Sequence, residues 1–391
     1  MDHDATTRAP ATARNLDLPL RLPALTGLRF VLSLAVLLGH ATYVLTVFDG
    51  PPQLIHGLTE LLATAAVSGF FVLSGFILTW THRPGDRPRR FWRRRFWKIF
   101  PNHAIAWLAC VLFFVVAAGA PSALELPGHR AGGGILGFFL LQSWIPDVTI
   151  FTGFNTPAWS ISTEAFFYAL FPLLIVGALR IAPGRLRGVF AAVGLTVLAL
   201  PLVAMAVDGP PPPASFDWLR MNEYSFWFVY VFPPVRVLEF VLGIVAARLM
   251  MTGGELRVPL RWAWTLLALA LLVTPVLPPQ YTFGAVCAIP FALVITGLAD
   301  RDRRGRPGTL TRPAMVLLGE ASYALYISHF PILLAGWQLC QGRLDTPWLT
   351  AVFGAVFMVV AVGVSVLMYR YFESPLMRRF AGPRQRIIER A

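Results

Sequence analysis

The chain has 391 residues, enough by length for two or three soluble domains, yet only 14% are charged where a soluble domain carries roughly 25%. Hydrophobic residues make up 56%, aromatics 13% with 12 Trp, and the mean hydropathy is +0.63. A soluble fold cannot hide that much apolar surface. Soluble α/β enzymes, disordered chains and secreted disulfide scaffolds are therefore excluded, and the chain reads as an all-α, polytopic transmembrane helix bundle.

In chain order, the first 23 residues contain Asp2, Asp4, Asp17 and three arginines but no apolar run or small-residue cleavage pattern. They read as a disordered cytoplasmic tail (1–24) rather than a signal peptide. Since a hydrocarbon core of about 30 Å needs about 20 apolar residues per helix, ten segments qualify within a few residues at each end. They are Leu28–Phe48, Leu61–Trp80, Ile99–Ala120, Glu164–Ala178, Val189–Val207, Val231–Met250, Arg261–Leu277, Tyr281–Ala299, Glu320–Leu339 and Trp348–Tyr369. The apolar run Ile135–Trp144 is too short to span and reads as a re-entrant or interfacial helix. A membrane domain over 25–375 and a basic cytoplasmic tail over 376–391 complete the layout, with no internal repeat evident.

The net charge of +13 follows this topology. With the N-terminus inside, 28 of the 33 basic residues fall on inner segments and three on outer loops (Arg130, Arg220 and Arg343), while Arg29 and Arg236 lie within spans. That asymmetry is a positive-inside signal; it places both termini in the cytoplasm and calls for no nucleic-acid partner. Cys110, Cys287 and Cys340 are odd in number and show no CxxC spacing, so they indicate neither a metal site nor a disulfide framework.

Ionisable residues inside spans are functional candidates because each costs roughly 2.5–3.5 kcal/mol on insertion scales. Here they are Arg29, His40, Glu164, Arg236, Glu239 and His329, with Arg95, Lys98 and Glu373 at cytoplasmic ends. Arg29 and His40 share one face of the first span, about 16 Å apart. Arg29 alone reads equally as an interfacial anchor. His40, slightly past the midplane, is either a packing residue bonded to a carbonyl or a general base, since imidazole titrates near neutrality. The stretch Phe91 to Pro101, which contains Arg93, Arg94, Arg95 and Lys98, is either an ordinary basic and aromatic belt or a polyphosphate cradle. Arg236 and Glu239, three apart, favour a structural ion pair. Glu164 lies about 10 Å below the outer face if the fourth span enters from there. That depth matches His40, so the two are expected side by side, the carboxylate orienting the imidazole.

The motifs resemble the acyltransferase 3 family of integral membrane O-acyltransferases, over Leu25 to about Pro375. The first-span arginine and histidine match Arg29 and His40; the FFVLSGF stretch matches Phe70 to Phe76. The RxxR-I-x-P pattern resembles Arg95 to Pro101 with Lys98 as its second basic residue, and the WSxxxE-x-x-FY stretch resembles Trp159 to Tyr168, with Ala165 at an often acidic position. SYxxYxxHxP matches Ser322 to Pro331, and ExP matches Glu373 to Pro375. The resemblance implies transfer of an acyl group, acetyl by expectation, from cytoplasmic acyl-CoA to a hydroxyl. The acceptor would be a surface carbohydrate (polysaccharide modification by O-acetylation) or a macrolide-like secondary metabolite. It also implies His40 as the catalytic residue and an association of Arg95 and Lys98 with the donor, acyl-CoA; the reading of the residues adds Arg29 and Glu164 to His40 and Arg94 to the donor cradle, with no tightly bound cofactor expected. Ser162, Tyr168, His329, Arg236 and Glu239 are further candidates. Against this stands a proton-coupled transporter or flippase, which midplane His, Arg and Glu would also suit.

Overall fold

The computed structural model describes residues 21–46, 53–83, 85–117, 131–213, 216, 219–254, 256, 258–340 and 346–381. The expected tails lie outside the described residues except at 21–24 and 376–381. Of these, Pro23 and Ala24 already belong to the first helix, and 376–380 to the last. Asp49, Arg130 and Arg343 also lie outside them.

Among the described residues there is helix and no strand. The long helices are α1 (Pro23–Thr46), α2 (Gln53–Trp80) and α3 (Pro88–Ala117). A short α4 (Ala131–Phe138) precedes α5 (Ala158–Arg180) and α6 (Leu186–Met205). Then come α7 (Pro233–Met251), α8 (Leu260–Val273), α9 (Ala288–Arg303), α10 (Pro313–Glu320), α11 (Ser322–Cys340), α12 (Pro347–Met368) and α13 (Ser374–Phe380). Among the described residues seven helices are long and apolar enough to cross a membrane, or eight when α10 and α11, bent by 63° around Ala321, count as one span. The seventh and eighth segments expected from sequence form helices shorter than that: Leu260–Val276, and α9 with 16 residues.

The bundle is held by close helix approach. Without a hydrophobic drive between helices in lipid, small residues that admit backbone contact decide which pairs form. α2 packs along both α1 and α7. At the α2–α7 crossing, a Cβ on Gly75 would stand 1.9 Å from the Phe240 carbonyl oxygen, and one on Gly243 would stand 1.9 Å from that of Val72. Gly75 is the glycine of the FFVLSGF stretch, whose Phe71, Val72, Leu73 and Phe76 are buried core.

Arg236 and Glu239 sit at this core, 3% and 2% exposed, with Arg236 Nη2 3.0 Å from Glu239 Oε2. The same guanidinium donates to Ser68 Oγ (3.0 Å) and the Phe283 carbonyl (3.1 Å) and stacks over Phe71 and Tyr230. The expected structural ion pair is therefore present, tying α7 to α2.

Between α3 and α5 the chain folds into the bundle. α4, a tight turn at Gln142–Trp144 and a helical turn at Val148–Phe151 bury Gln142, Ser143, Val148 and Phe151. His103 and Trp107 of α3 reach the Gly137 and Gly134 carbonyls at 3.0 and 2.8 Å. This places the start of α5 deep. Asn155 donates to the Ile327 carbonyl at 3.0 Å, two residues before His329.

Candidate active site

The starts of α1 and α3 and the end of α12 gather the basic residues, and this is the basic end of the bundle. A cavity lies there, lined by Arg29 of α1, Ser74 of α2, Arg95 and Lys98 of α3, Ser160, Glu164 and Tyr168 of α5, and Ser322, Tyr323 and Tyr326 of α11. Phe91 to Pro101 belongs to α3, so its cations are placed by helical spacing. Arg95 and Lys98, three apart, share a face and both enter the cavity. Arg95 lies over the rings of Phe91 (5.5 Å) and Tyr168 (5.6 Å), and Lys98 over Tyr323 (5.8 Å). Arg94 points elsewhere. It pairs with Asp86, in the turn before α3, and its hydrogen bond holds the Asp86 carboxyl below the ordinary carboxylate range. Arg94 is thus absent from the cavity lining, unlike its two neighbours.

Glu373, 2% exposed in a π-helical turn after α12, binds both Lys98 Nζ and Asn102 Nδ2, the latter at 2.6 Å. The last motif of the chain therefore positions a cation at the start of α3. Arg95 Nε and Ser322 Oγ are buried without a hydrogen-bond partner among the described residues, a state that costs about 1–3 kcal/mol per group unless a ligand or water satisfies it.

Glu164 lies in this cavity and not beside His40. It accepts from Ser74 Oγ at 2.8 Å and Tyr168 OH at 2.5 Å. The depth argument fails because α5 does not start at the membrane face. Residue 155 is already level with Ile327, and Glu164 lies six residues into α5, about 9 Å further towards the basic end. One helical turn on, the Tyr168 carbonyl accepts from the Trp92 indole of α3 at 3.0 Å, confirming the direction. Ser162 faces away, donating to the Leu140 carbonyl at 2.6 Å.

His40 lines a second cavity, towards the opposite end of the bundle. The two cavities share Val67 and Tyr326 in their linings, so they meet at that pair. Tyr326 OH is 2.5 Å from Ser160 Oγ at the junction. The partner of His40 is His329, fully buried on α11: His329 Nε2 is 3.1 Å from His40 Nδ1, and the ring centroids are 5.0 Å apart. His40 Nδ1 is also 3.1 Å from the Val36 carbonyl, leaving Nε2 as the ring nitrogen for the cavity.

Two further ionisable groups line this cavity, His56 and Glu60 of α2, 3.7 Å apart. Sequence reasoning missed them because the second span was started at Leu61. The helix begins at Gln53, which puts both residues inside it. The available signal was a carboxylate abutting an apolar run long enough to span.

Residues 22–370 match the acyltransferase 3 family, described as an acyltransferase domain. The chain belongs to this family. Among its relatives, acyltransferase MdmB of Streptomyces mycarofaciens is 39% identical over 368 residues, 92% of either chain. O-acetyltransferase OatA of Staphylococcus aureus is 23% identical over 381 residues, 92% of this chain and 58% of its own. Peptidoglycan O-acetyltransferase OatA of Listeria monocytogenes is 21% identical over 332 residues, 79% of this chain and 50% of its own. The chain thus spans about half to three-fifths of the OatA proteins. No solved structure matches it. As a member of this acyltransferase family, the chain is a multi-pass membrane acyltransferase, transferring groups other than aminoacyl groups, and the transporter reading falls away.

Proposed function

We propose that the protein moves an acyl group, acetyl in the simplest case, from cytoplasmic acyl-CoA to an acceptor hydroxyl across the junction of its two cavities. One observation carries this: a cavity with three cations and a cavity with an imidazole meet at Val67 and Tyr326. The basic end faces the cytoplasm of a cell whose cytoplasmic membrane holds the protein, with ten crossings and both termini inside, as the positive-inside rule requires. The short helices α8 and α9 make two of the crossings.

On the donor side, Arg29, Arg95 and Lys98 outnumber the single carboxylate Glu164 in the lining, which suits an anionic polyphosphate. Arg95 Nε and Ser322 Oγ supply unspent donors. Glu164 positions Tyr168 and Ser74 beside Arg95 and does not act on His40.

On the acceptor side, His40 Nε2 takes the hydroxyl proton as the oxygen attacks the thioester carbonyl. A C–O bond forms, the C–S bond breaks, and the imidazolium returns its proton to the leaving thiolate, so free CoA and the ester are the products. Arg29 orients the donor or stabilises the developing negative charge. The acceptor is a surface carbohydrate or a macrolide-like secondary metabolite; the peptidoglycan named for one relative supports the first. The test is transfer of radiolabel from acetyl-CoA by purified protein in detergent, with candidate acceptors. His40→Ala should remain folded and lose about 10²–10⁴-fold in rate. Full activity in that variant would remove His40 from the reaction.

A further inference from the structure

The cavity at His40 has an unusual balance of walls and charges. Nearly half of its lining residues are Phe, Tyr or Trp, and among the described residues that form it there is no Lys or Arg and one carboxylate, Glu60. Trp159, Tyr230 and Phe283 form one packed aromatic wall, with ring centroids 4.5 Å (Trp159–Tyr230) and 4.9 Å (Tyr230–Phe283) apart. Tyr43 adds another face, 6.2 Å from the His56 ring. His56 Nε2 stands 3.7 Å from Glu60 Oε2, too far for a hydrogen bond but within ion-pair range when the imidazole is protonated, so a ligand ammonium competes with it for the carboxylate.

A carboxylate in an apolar wall is costly unless a cation neutralises it. Aromatic faces carry negative electrostatic potential and attract the same kind of ligand, an organic ammonium group. Neither feature suits an anion. The level of Glu60 follows from its neighbour: Thr59 Oγ1 is 2.6 Å from Thr42 Oγ1, two residues along α1 from His40. α1 and α2 run antiparallel, so Glu60, one residue after Thr59, steps back towards His40 and lies about 1.5 Å from its level along the bundle axis.

We infer that this cavity takes an acceptor bearing a basic amine, its ammonium group held by Glu60 within the aromatic wall and its hydroxyl presented to His40. This rests on the acceptor side of the proposed reaction and narrows it to amphipathic amines, such as glycosides of amino sugars, over neutral glycan strands.

The test is binding alone, so that it does not depend on transfer. Two probes are titrated calorimetrically into the purified full chain in detergent, without acyl donor. One is the phenyl glycoside of an N,N-dimethylamino sugar, and the other its neutral N-acetylamino counterpart. The wild-type protein should prefer the amine by about tenfold or more, the scale of a desolvated cation–π contact plus an ion pair. Glu60→Gln should bring the two affinities within about twofold of each other. Equal affinities in the wild type, binding of neither probe, or a preference that survives Glu60→Gln would overturn the inference. If Glu60→Gln does not fold, the wild-type pair decides alone. A failed His40→Ala transfer test with an intact amine preference would sink the proposed reaction and leave this site standing.

Discussion

His329 Nε2 lies 3.1 Å from His40 Nδ1, while His329 Nδ1 lies 3.0 Å from the Leu325 carbonyl oxygen. A carbonyl only accepts, so Nδ1 of a neutral His329 carries the proton and its Nε2 accepts. His40 must then donate through Nδ1–H, shared between His329 and the Val36 carbonyl, and its Nε2 keeps the lone pair that a general base needs.

In the proposed reaction His329 is therefore a positioning residue. Because Val36 remains as a second acceptor, His329→Leu should weaken orientation without removing the base, lowering turnover about tenfold, less than loss of the base itself. His329→Gln offers a carbonyl to the same N–H and should recover most of the rate. Equal loss in the Leu and Gln variants, with both folded, would reduce His329 to a packing residue.

Adjacent arginines separate the two readings of the α3 segment. Arg95 enters the basic cavity, whereas Arg94 is committed to Asp86. Charge-assisted bonds contribute about 1.5–3 kcal/mol each, so Arg95→Ala should raise the KM for acetyl-CoA by roughly tenfold or more. Arg94→Ala should change it less than about twofold, the scale of a partly exposed pair. Similar effects from both would return the segment to a general interfacial belt.

Lys98 requires a conservative probe. Removing it would strand Glu373, 2% exposed, as an uncompensated buried charge, at about 3–5 kcal/mol. Lys98→Ala should consequently fail in stability before it reports on donor binding. Lys98→Arg keeps the charge and should retain the fold, with donor KM within about threefold, since an anionic ligand sees the same formal charge. Thermal unfolding of the two variants checks the first claim and steady-state kinetics the second. A stable Lys98→Ala protein would show that the Asn102 amide alone suffices to hold Glu373.

Much of this bundle was legible because long apolar runs have few alternatives in lipid. The Arg236–Glu239 pair was legible because three-residue spacing on a helix forces proximity. What escaped was depth. Counting residues from Pro157 placed Glu164 beside His40, but the chain before α5 folds inward through Gln142–Trp144 and Val148–Phe151, so the count began at the wrong level. No local pattern announces where a span starts when its entry is covered by protein. The His40–His329 contact escaped for a related reason: 289 positions separate the two residues, and only the packing of α1 against α11 sets their register.

The ten-crossing layout has its own test, at the two short helices. The Leu260–Val276 helix and α9 are about 26 and 24 Å long, somewhat under a core of about 30 Å. If each crosses, Pro278→Cys and Gly305→Cys in a Cys-free background should label from opposite faces, position 305 from the cytoplasm. Labelling of both from one face would leave eight crossings and make this hairpin a half-inserted element. Both sites lie in turns, so neither substitution disturbs a helix.

The α2–α7 crossing yields the sharpest prediction on the fold. A Cβ at Gly75 would lie 1.9 Å from the Phe240 carbonyl oxygen, and one at Gly243 the same distance from that of Val72. Both obstacles are backbone, which cannot rotate away as a side chain can, so alanine at either position must push the helices apart. Overpacking of this kind costs about 1–3 kcal/mol. Each substitution relieves the clash of the other once the helices have separated, so Gly75→Ala with Gly243→Ala should cost clearly less than the sum of the two. The consequence reaches the basic cavity, because Ser74, next to Gly75, holds Glu164 at 2.8 Å. Donor KM should rise in both single variants even where the protein remains folded. Gly177, with nothing within 4 Å of a built Cβ, provides the control. Gly177→Ala should be neutral or stabilising by up to about 1 kcal/mol through helix propensity. Thermal unfolding of the four proteins in one detergent decides the matter, and a Gly243→Ala variant as stable as Gly177→Ala would show that this crossing tolerates a wider spacing than the backbone contacts imply.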